Sequence, residues 1–188
     1  MTKSVKSLMV QLGEEHDAIL TTPCLPVNIR LLCSSAAYYN VVRATVKHME
    51  NVMDMKFSDY ASVQGISGAN VGIPFNIVII NSLKDDQPKL CMLNPEVVWI
   101  SSETTTSKSN CGSLCLDEKI EVIRPAEVTV RYYKAPKWLP SKDVEFPFTL
   151  SPVTQKFRRY KEMFYHPGTI QHEIDHNNGI LIVDREAV

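Results

Sequence analysis

The sequence lacks the features that mark several large classes of protein. None of its apolar runs approaches the length that spans a bilayer, so we predict no membrane association. It has no excess of either charge, because 20 basic side chains oppose 21 acidic ones and leave a formal net charge of -1. A general attraction to phosphate backbones or anionic lipid is therefore not expected, and we predict no specific nucleic-acid partner.

Paired cysteines and an obvious targeting signal are also lacking. Five cysteines are an odd number at irregular spacings, which argues against a disulfide framework and favours a reducing compartment. The stretch from Met1 to Gly13 lacks the apolar core of a secretory signal. Its two lysines and absence of acids leave open a remnant of an organellar transit segment.

The length and the absence of repeats predict one domain. A chain of 188 residues suffices for one well-packed core and is short for two, and it contains no internal repeat or low-complexity tract. We expect one domain over residues 1–188, with residues 1–20 as a flexible N-terminal extension.

Hydrophobic periodicity predicts a long helix followed by several strands. Apolar residues recur at three- and four-residue spacings from about Ala36 to Met55, which is typical of a helix with one buried face. The β-branched run from Phe75 to Asn81 is typical of a strand buried on both faces. Four further short strands are predicted, over residues 89–93, 96–100, 119–123 and 127–133.

A second helix is predicted near the end of the chain. Pro167 suits the first turn of a helix, and Gly179 suits the position just after its last turn. The apolar run at residues 180–183 predicts a last strand. Helices separated in sequence from mostly antiparallel strands indicate an α+β fold.

The second helix carries the strongest chemical signal in the sequence, an H-E-x-x-H pattern. His172 and His176 are four residues apart, so on a helix both imidazoles lie on one face and can bind one divalent ion. Glu173 lies beside them and is a candidate general base. Two histidines leave a catalytic metal one protein ligand short, so a third ligand is expected from elsewhere in the chain.

Several segments of this sequence resemble the motifs of peptide deformylases. The run QHEIDH at residues 171–176 resembles the third motif of that family. GISGAN at residues 65–70 is similar to its first motif, Gly-hydrophobic-Ala-Ala-x-Gln, and LNPEV at 93–97 resembles its Asn-Pro turn. CGSLC at residues 111–115 lies where the second motif, Glu-Gly-Cys-Leu-Ser, is expected. The order and spacing agree over most of the chain.

The resemblance implies a deformylase-like fold, with antiparallel strands around a central metal-binding HExxH helix. It implies Fe²⁺ or Zn²⁺ held by two histidines and a cysteine, although Ni²⁺ or Co²⁺ also suits such ligands. The implied reaction is removal of the N-formyl group from formylmethionyl peptides and nascent proteins, which would bring the enzyme to the ribosome. Glu173 would then move protons, while the Asn70 amide and the Leu114 backbone N–H would stabilise the oxyanion.

The sequence departs from the family pattern at positions that carry the chemistry. The metal-ligating cysteine position is occupied by Ser113, whose neutral hydroxyl binds such metals weakly. Cys111 or Cys115 could replace it only through a register slip or bulge, since alternate strand positions are about 6.6 Å apart. Asn70 is one methylene shorter than glutamine, and the second-motif glutamate is Cys111, which leaves Arg124 without that partner.

The same alignment of motifs indicates where a peptide would bind. Gly65, Ile66 and Gly68 of the first motif, and Gly112 of the second, are the candidate substrate-binding residues. Formylated initiators belong to bacterial-type translation. The expected compartment is therefore the bacterial cytoplasm or, in a eukaryote, a mitochondrion or another organelle.

Three functions compete at this stage. The first is a peptide deformylase whose activity is reduced by Ser113 and Asn70. The second is a non-catalytic module of the same fold that has weakened metal binding and holds peptides or a protein partner. The third is an H-E-x-x-H endopeptidase, which would need a different third ligand. Metal content and formate release separate the first two.

Overall fold

The computed structural model describes residues 10, 13, 17–55, 63–84, 87–109, 111, 119–158 and 164–186. Within these residues the chain forms α-helices, β-strands and short 3-10 helices. The α-helices are α1 Ile29–Ser34, α2 Ala36–Asp54 and α3 Pro167–Asn177. The strands are β1 Gly65–Ser67, β2 Ile77–Ile80, β3 Leu90–Ile100, β4 Thr104–Ser109, β5 Ile120–Pro125, β6 Glu127–Lys134 and β7 Pro152–Arg158. The 3-10 helices are Asp17–Leu20, Ala69–Val71, Ser141–Asp143 and Ile182–Arg185.

The strands form two antiparallel sheets, which confirms the predicted α+β class. The larger sheet has five strands in the order β1-β2-β3-β6-β7, and the smaller is the β4-β5 pair. All the pairings between these strands are antiparallel. None of the helices described is long and apolar enough to cross a membrane.

The large sheet is covered by a different helix on each face. Ile77 and Ile79 of β2 pack in the core cluster that contains the buried side of α2. Val78 and Ile80 belong to a second cluster, which contains Ile170 and Ile174 of α3. Alternate side chains of a strand point to opposite faces, so all four residues of β2 are buried, as its apolar run predicts.

The predicted long helix is confirmed as α2. It begins after Ser35, whose hydroxyl accepts a hydrogen bond from the Tyr38 backbone N–H at 3.4 Å. Its buried positions follow the helical period and form the side that packs on the sheet: Tyr39, Val42, Thr45, Val46, Met49, Val52 and Met53.

The predicted second helix is confirmed as α3, and both of its ends have local causes. Pro167 is the first helical residue, and the His166 ring accepts hydrogen bonds at Nδ1 from the backbone N–H groups of Gly168 and Thr169. Gly179 follows the last turn with φ +72°. A Cβ there would lie 2.7 Å from the Thr21 carbonyl, so the close packing of Thr21 on this turn also requires glycine at position 179.

Two of the predicted strands are one strand, and the prediction of a break between them was wrong. β3 runs from Leu90 to Ile100 without ending at the Asn-Pro pair, because a register shift between Leu93 and Glu96 absorbs it. Asn94 adopts φ +52°, and its side chain accepts from the Val27 N–H and donates to the Val27 carbonyl. These two hydrogen bonds stabilise Asn94 in its positive-φ conformation.

The predicted last strand at residues 180–183 was also wrong. Residues Ile182–Arg185 form a 3-10 helix, and the Asp184 carboxylate accepts a hydrogen bond from the Leu181 N–H at 2.8 Å. This local cap closes a helical turn where the apolar run alone indicates a strand. At the other end of the chain, Leu20 is fully buried, so the last residues of the predicted extension pack in the fold.

Candidate metal centre

Three potential metal ligands converge at α3. His172 and His176 project from successive turns of the helix, and their Nε2 atoms are 3.2 Å apart. The Cys111 thiol, which precedes β5 in the chain, lies 3.1 Å from His176 Nε2. All three donor atoms lie within 4.8 Å of one another. The two histidines are thus brought together as predicted, and a cysteine accompanies them.

The donor set fits a tetrahedral divalent metal. Ligand atoms at the usual Zn–N and Zn–S bond lengths are separated by about 3.3–3.7 Å in such a site. The Cys111–His176 and His172–His176 pairs are slightly closer, at 3.1 and 3.2 Å. Cys111 and His176 are buried and His172 is half-buried, so the cluster is accessible from one side. The short Cys111–His176 and His172–His176 contacts, 3.1 and 3.2 Å, bring three donor atoms close enough to bind one cation together.

Burial keeps the histidines in the form that binds metal. It lowers the pKa of His172 well below its ordinary value, and the neighbouring His176 lowers it further. The pKa of His176 is lowered to about 4, chiefly by burial, although Asp175 opposes the shift. Both rings are therefore neutral at physiological pH, with nitrogen lone pairs available to a cation.

Glu173 is buried beside the ligands in a space that glycine provides. A Cβ at Gly65 of β1 would lie 2.8 Å from Glu173 Cγ and 3.0 Å from its Oε1. Among the residues that the structure describes, none gives a hydrogen bond to the buried Glu173 Oε2 atom. Burial raises the pKa of this carboxyl to about 8, although Arg124 opposes the shift. In the metal-free protein Glu173 is therefore mostly protonated at neutral pH, which suits a proton carrier.

The metal-free protein is expected to lose stability as the pH rises from about 4.5 to about 8 because of Glu173. Its folded-state pKa lies above its ordinary value, so protonation favours the fold at low pH and this contribution disappears as the pH rises through the folded pKa. We would measure urea unfolding across this range for wild type and Glu173→Gln. The free energy of unfolding of wild type, relative to that of Glu173→Gln, should fall as the pH rises. A difference that does not change with pH would contradict the raised pKa of Glu173.

A buried ion-pair network supports the helix that carries the ligands. Arg124 of β5 donates to Asp175 Oδ2 at 2.7 Å, and both side chains are almost fully buried. Arg185 donates to Asp175 Oδ1 at 3.0 Å and is 44% exposed. Arg124 lacks the second-motif carboxylate of the family pattern, and Asp175 is its partner instead.

Asp175→Asn is expected to destabilise the protein by about 3–5 kcal/mol, because it leaves the Arg124 charge buried without a counter-ion. Arg185→Gln is the matched control. Since Arg185 is half-exposed, its loss should cost about 1 kcal/mol or less. Urea denaturation of the zinc-loaded proteins measures the loss of unfolding free energy in each variant. Equal losses in Asp175→Asn and Arg185→Gln would show that the burial of Arg124 does not determine the cost of removing its partner.

The first-motif residues 65–70 lie against α3, the helix that carries His172 and His176. Ile66 is fully buried and its side chain packs in the core, so only its backbone is available to a ligand. Gly68 has no room for a side chain, since a Cβ would lie 2.3 Å from the Phe75 carbonyl oxygen. Asn70 is buried in the 3-10 helix Ala69–Val71, which packs against α3. The assigned roles of Gly65, Ile66, Gly68 and Asn70 stay predictions.

Three predicted site residues, Gly112, Ser113 and Leu114, lie outside the described residues. Cys111 was one of the alternatives for the third ligand, and it is the cysteine found beside the histidines. Asp175 was missed as the partner of Arg124. The only signal for it in the sequence is an acid within the H-E-x-D-H run, which does not say which cation it faces.

Comparison with known proteins gives one consistent family. A family model described as Polypeptide deformylase matches residues 9–139. The peptide deformylase of Bartonella tribocorum is 31% identical over 124 residues, or 64% of this chain and 59% of that protein. That of Rickettsia typhi is 28% identical over 174 residues, or 89% of this chain and 85% of that protein. The chain spans 61% of the Bartonella henselae protein, so it matches about three fifths of some relatives.

Solved structures agree with the sequence comparison. The Met-Ala-Ser-bound class I type b peptide deformylase from Acinetobacter baumannii has a TM-score of 0.65 and 24% identity, with 98% of each chain covered. The Thermotoga maritima peptide deformylase has a TM-score of 0.63 and 20% identity, with 96% and 97% covered. These likenesses establish the fold, including the antiparallel strands around a central helix. Because the family model also covers most of the sequence, this chain belongs to the polypeptide deformylase family.

Proposed function

We propose that this protein is a metal-dependent amidohydrolase that removes the N-formyl group from N-formylmethionyl peptides and nascent proteins. The observation that carries the proposal is the Cys111, His172 and His176 cluster with Glu173 buried beside it. A thiolate and two imidazoles are three protein ligands, which leaves a position for water or substrate. Family membership and the Met-Ala-Ser peptide held by the Acinetobacter enzyme support a peptide with an N-terminal methionine as substrate.

Cys111, His172 and His176 are the residues that would hold the ion. When bound, Fe²⁺ or Zn²⁺ supplies Lewis acidity, which lowers the pKa of water and polarises a carbonyl. Ni²⁺ and Co²⁺ also suit a set of two imidazoles and one thiolate. The thiolate favours these ions over Mg²⁺ or Ca²⁺, which prefer oxygen ligands.

The chain's own residues supply the proton transfer. Glu173 accepts a proton from the water that adds to the formyl carbon, and it delivers that proton to the methionine nitrogen as the formyl C–N bond breaks, which gives formate and a free amino terminus. A carboxyl whose pKa is raised by burial is suited to both steps, since it gains and loses a proton near neutral pH. Gly65 leaves the space in which the Glu173 side chain lies.

Charge that develops on the formyl oxygen needs hydrogen-bond donors. The Asn70 amide is the described side chain that we assign to this role, with the Leu114 backbone N–H as its partner. A peptide running along β1 would pass Gly65 and Ile66, with Gly68 just beyond the end of the strand. Gly112 stays a candidate substrate-binding residue on the motif resemblance alone. Each donor of this kind contributes roughly 10²–10³ in rate in other hydrolases.

The binding-module alternative depended on a missing thiolate. Cys111 supplies one at the histidines, and this favours the enzyme. We also propose that the enzyme meets nascent chains at a ribosome of the bacterial type. Its compartment would then be the bacterial cytoplasm or, in a eukaryote, a mitochondrion or another organelle.

Formate release from formyl-Met-Ala-Ser tests the proposal. Protein purified without oxygen should contain about one metal per chain and release formate, and chelation should remove both properties. N-acetyl-Met-Ala-Ser and an N-acetylated internal peptide are the matched controls. Peptide binding without formate release would support the module, and cleavage of the internal peptide would support the endopeptidase.

A further inference from the structure

We propose that Ser67 is a positioning residue that orients the Asn70 side chain so that its NH₂ group faces the formyl oxygen of the substrate. This inference rests on the proposed function. It concerns how a side chain shorter than glutamine is held in place, and it assigns a role to a residue that the motif analysis did not single out.

Two donors from Ser67 converge on one oxygen of Asn70. The Ser67 backbone N–H donates to Asn70 Oδ1 at 2.9 Å, and the Ser67 hydroxyl donates to the same atom at 2.6 Å. Ser67 is fully buried and Asn70 is 4% exposed, so both hydrogen bonds are shielded from water. Bonds of this kind are strengthened in a low-dielectric interior.

The backbone N–H removes the usual ambiguity between the two ends of an amide. A backbone N–H can only donate, so the Asn70 atom beside it must be the oxygen. The NH₂ group is therefore on the opposite end of the amide from Ser67. With its oxygen held by two donors, the side chain can present only N–H donors to a ligand, which suits a carbonyl oxygen and the negative charge it develops.

The turn that joins the two residues is closely packed. Gly68 N–H donates to the Ile77 carbonyl at 3.0 Å, and a Cβ at Gly68 would lie within 2.7 Å of the carbonyl oxygens of Ile73 and Phe75. Asn70 therefore lies at a fixed distance from Ser67. Two residues before Ser67, Gly65 lies against Glu173 of α3. The segment 65–70 therefore links the Asn70 side-chain amide to the helix that carries the two histidines.

The sequence GISGAN departs from the first motif at Ser67, Gly68 and Asn70, and the departures at Ser67 and Asn70 bear on this role. The family pattern quoted above has alanine where this chain has Ser67 and glutamine where it has Asn70. Alanine cannot donate a side-chain hydrogen bond, whereas serine can. A donor displaced by about the length of a methylene loses much of its effect in catalysis, so the orientation of the shorter amide matters more.

A double-mutant cycle on the zinc-loaded protein tests the inference. For formyl-Met-Ala-Ser, we expect Asn70→Ala to lower kcat about 100-fold and Ser67→Ala to lower it about 10-fold, with KM and metal content nearly unchanged. In the Asn70→Ala background, Ser67→Ala should have no further effect, because the side chain it orients is gone. The double variant Ser67→Ala with Asn70→Gln should recover most of the activity lost in Ser67→Ala.

Other outcomes overturn the inference without touching the proposed function. If Ser67→Ala lowers kcat by the same factor in both backgrounds, or reduces only metal content or Tm, Ser67 acts independently of Asn70. If wild type itself releases no formate, the proposed function fails. The same cycle is then read as the affinity for intact formyl-Met-Ala-Ser by calorimetry, where coupling supports the orientation of Asn70 and additivity overturns it.

Discussion

Cys111→Ser is expected to remove stably bound metal from the protein. A hydroxyl is a weak ligand for Fe²⁺ or Zn²⁺, and the change leaves only His172 and His176 in the cluster. Loss of a group that merely orients a ligand lowers metal affinity about 10–100-fold, so loss of the thiolate should lower it by more than about 100-fold. Metal content after gel filtration and a chelator competition measure the effect, and formate release should fall with metal content.

Ser113→Ala is the matched control, because Ser113 takes the cysteine position in the motif pattern. It should retain metal if Cys111 is the third ligand. Metal loss in Ser113→Ala together with retention in Cys111→Ser would assign the ligand to Ser113. A gain of affinity in Ser113→Cys would support the same conclusion.

Glu173→Gln is expected to lower kcat by about 10²–10⁴ while leaving the metal bound. Glutamine has nearly the same shape and fits the space left by Gly65, but it cannot carry a proton. Steady-state formate release and metal analysis of the same sample separate the two effects.

The exposed residue Glu121 on β5 provides a control for this change. Glu121→Gln makes the same substitution at an exposed side chain and should leave kcat within about twofold of wild type. Metal loss in Glu173→Gln would mean that Glu173 is a ligand. Unchanged turnover would remove it from proton transfer and leave the centre without a base.

Secondary structure was predictable where one periodicity ran unbroken. The helical spacing of α2 and the apolar run of β2 each report which faces are buried, and the structure buries those faces. Prediction was wrong at the Asn94–Pro95 pair and at residues 180–183. In both places a side chain makes a hydrogen bond that changes the local backbone preference, through Asn94 in the first and Asp184 in the second.

The site was predictable in part for a related reason. His172 and His176 are four residues apart on one helix, so their proximity follows from helix geometry alone. Cys111 is distant in sequence from both. Its position depends on the course of the chain before β5, and the second-motif spacing indicated Ser113 as the ligand position, with Cys111 only as an alternative that needs a bulge or register slip. The ion pair between Arg124 and Asp175 depends in the same way on how β5 packs against α3.

The sequence alone therefore specified the family, through its motifs, and the helix α3 with His172 and His176 on one face. The proximity of these two histidines depends only on residues four apart along one helix. The packing of separate segments decided which cysteine joins them, which acid neutralises Arg124 and which way the Asn70 amide faces. Such contacts are set by the distance and direction between elements, and these exist only after the sheet and helices have assembled.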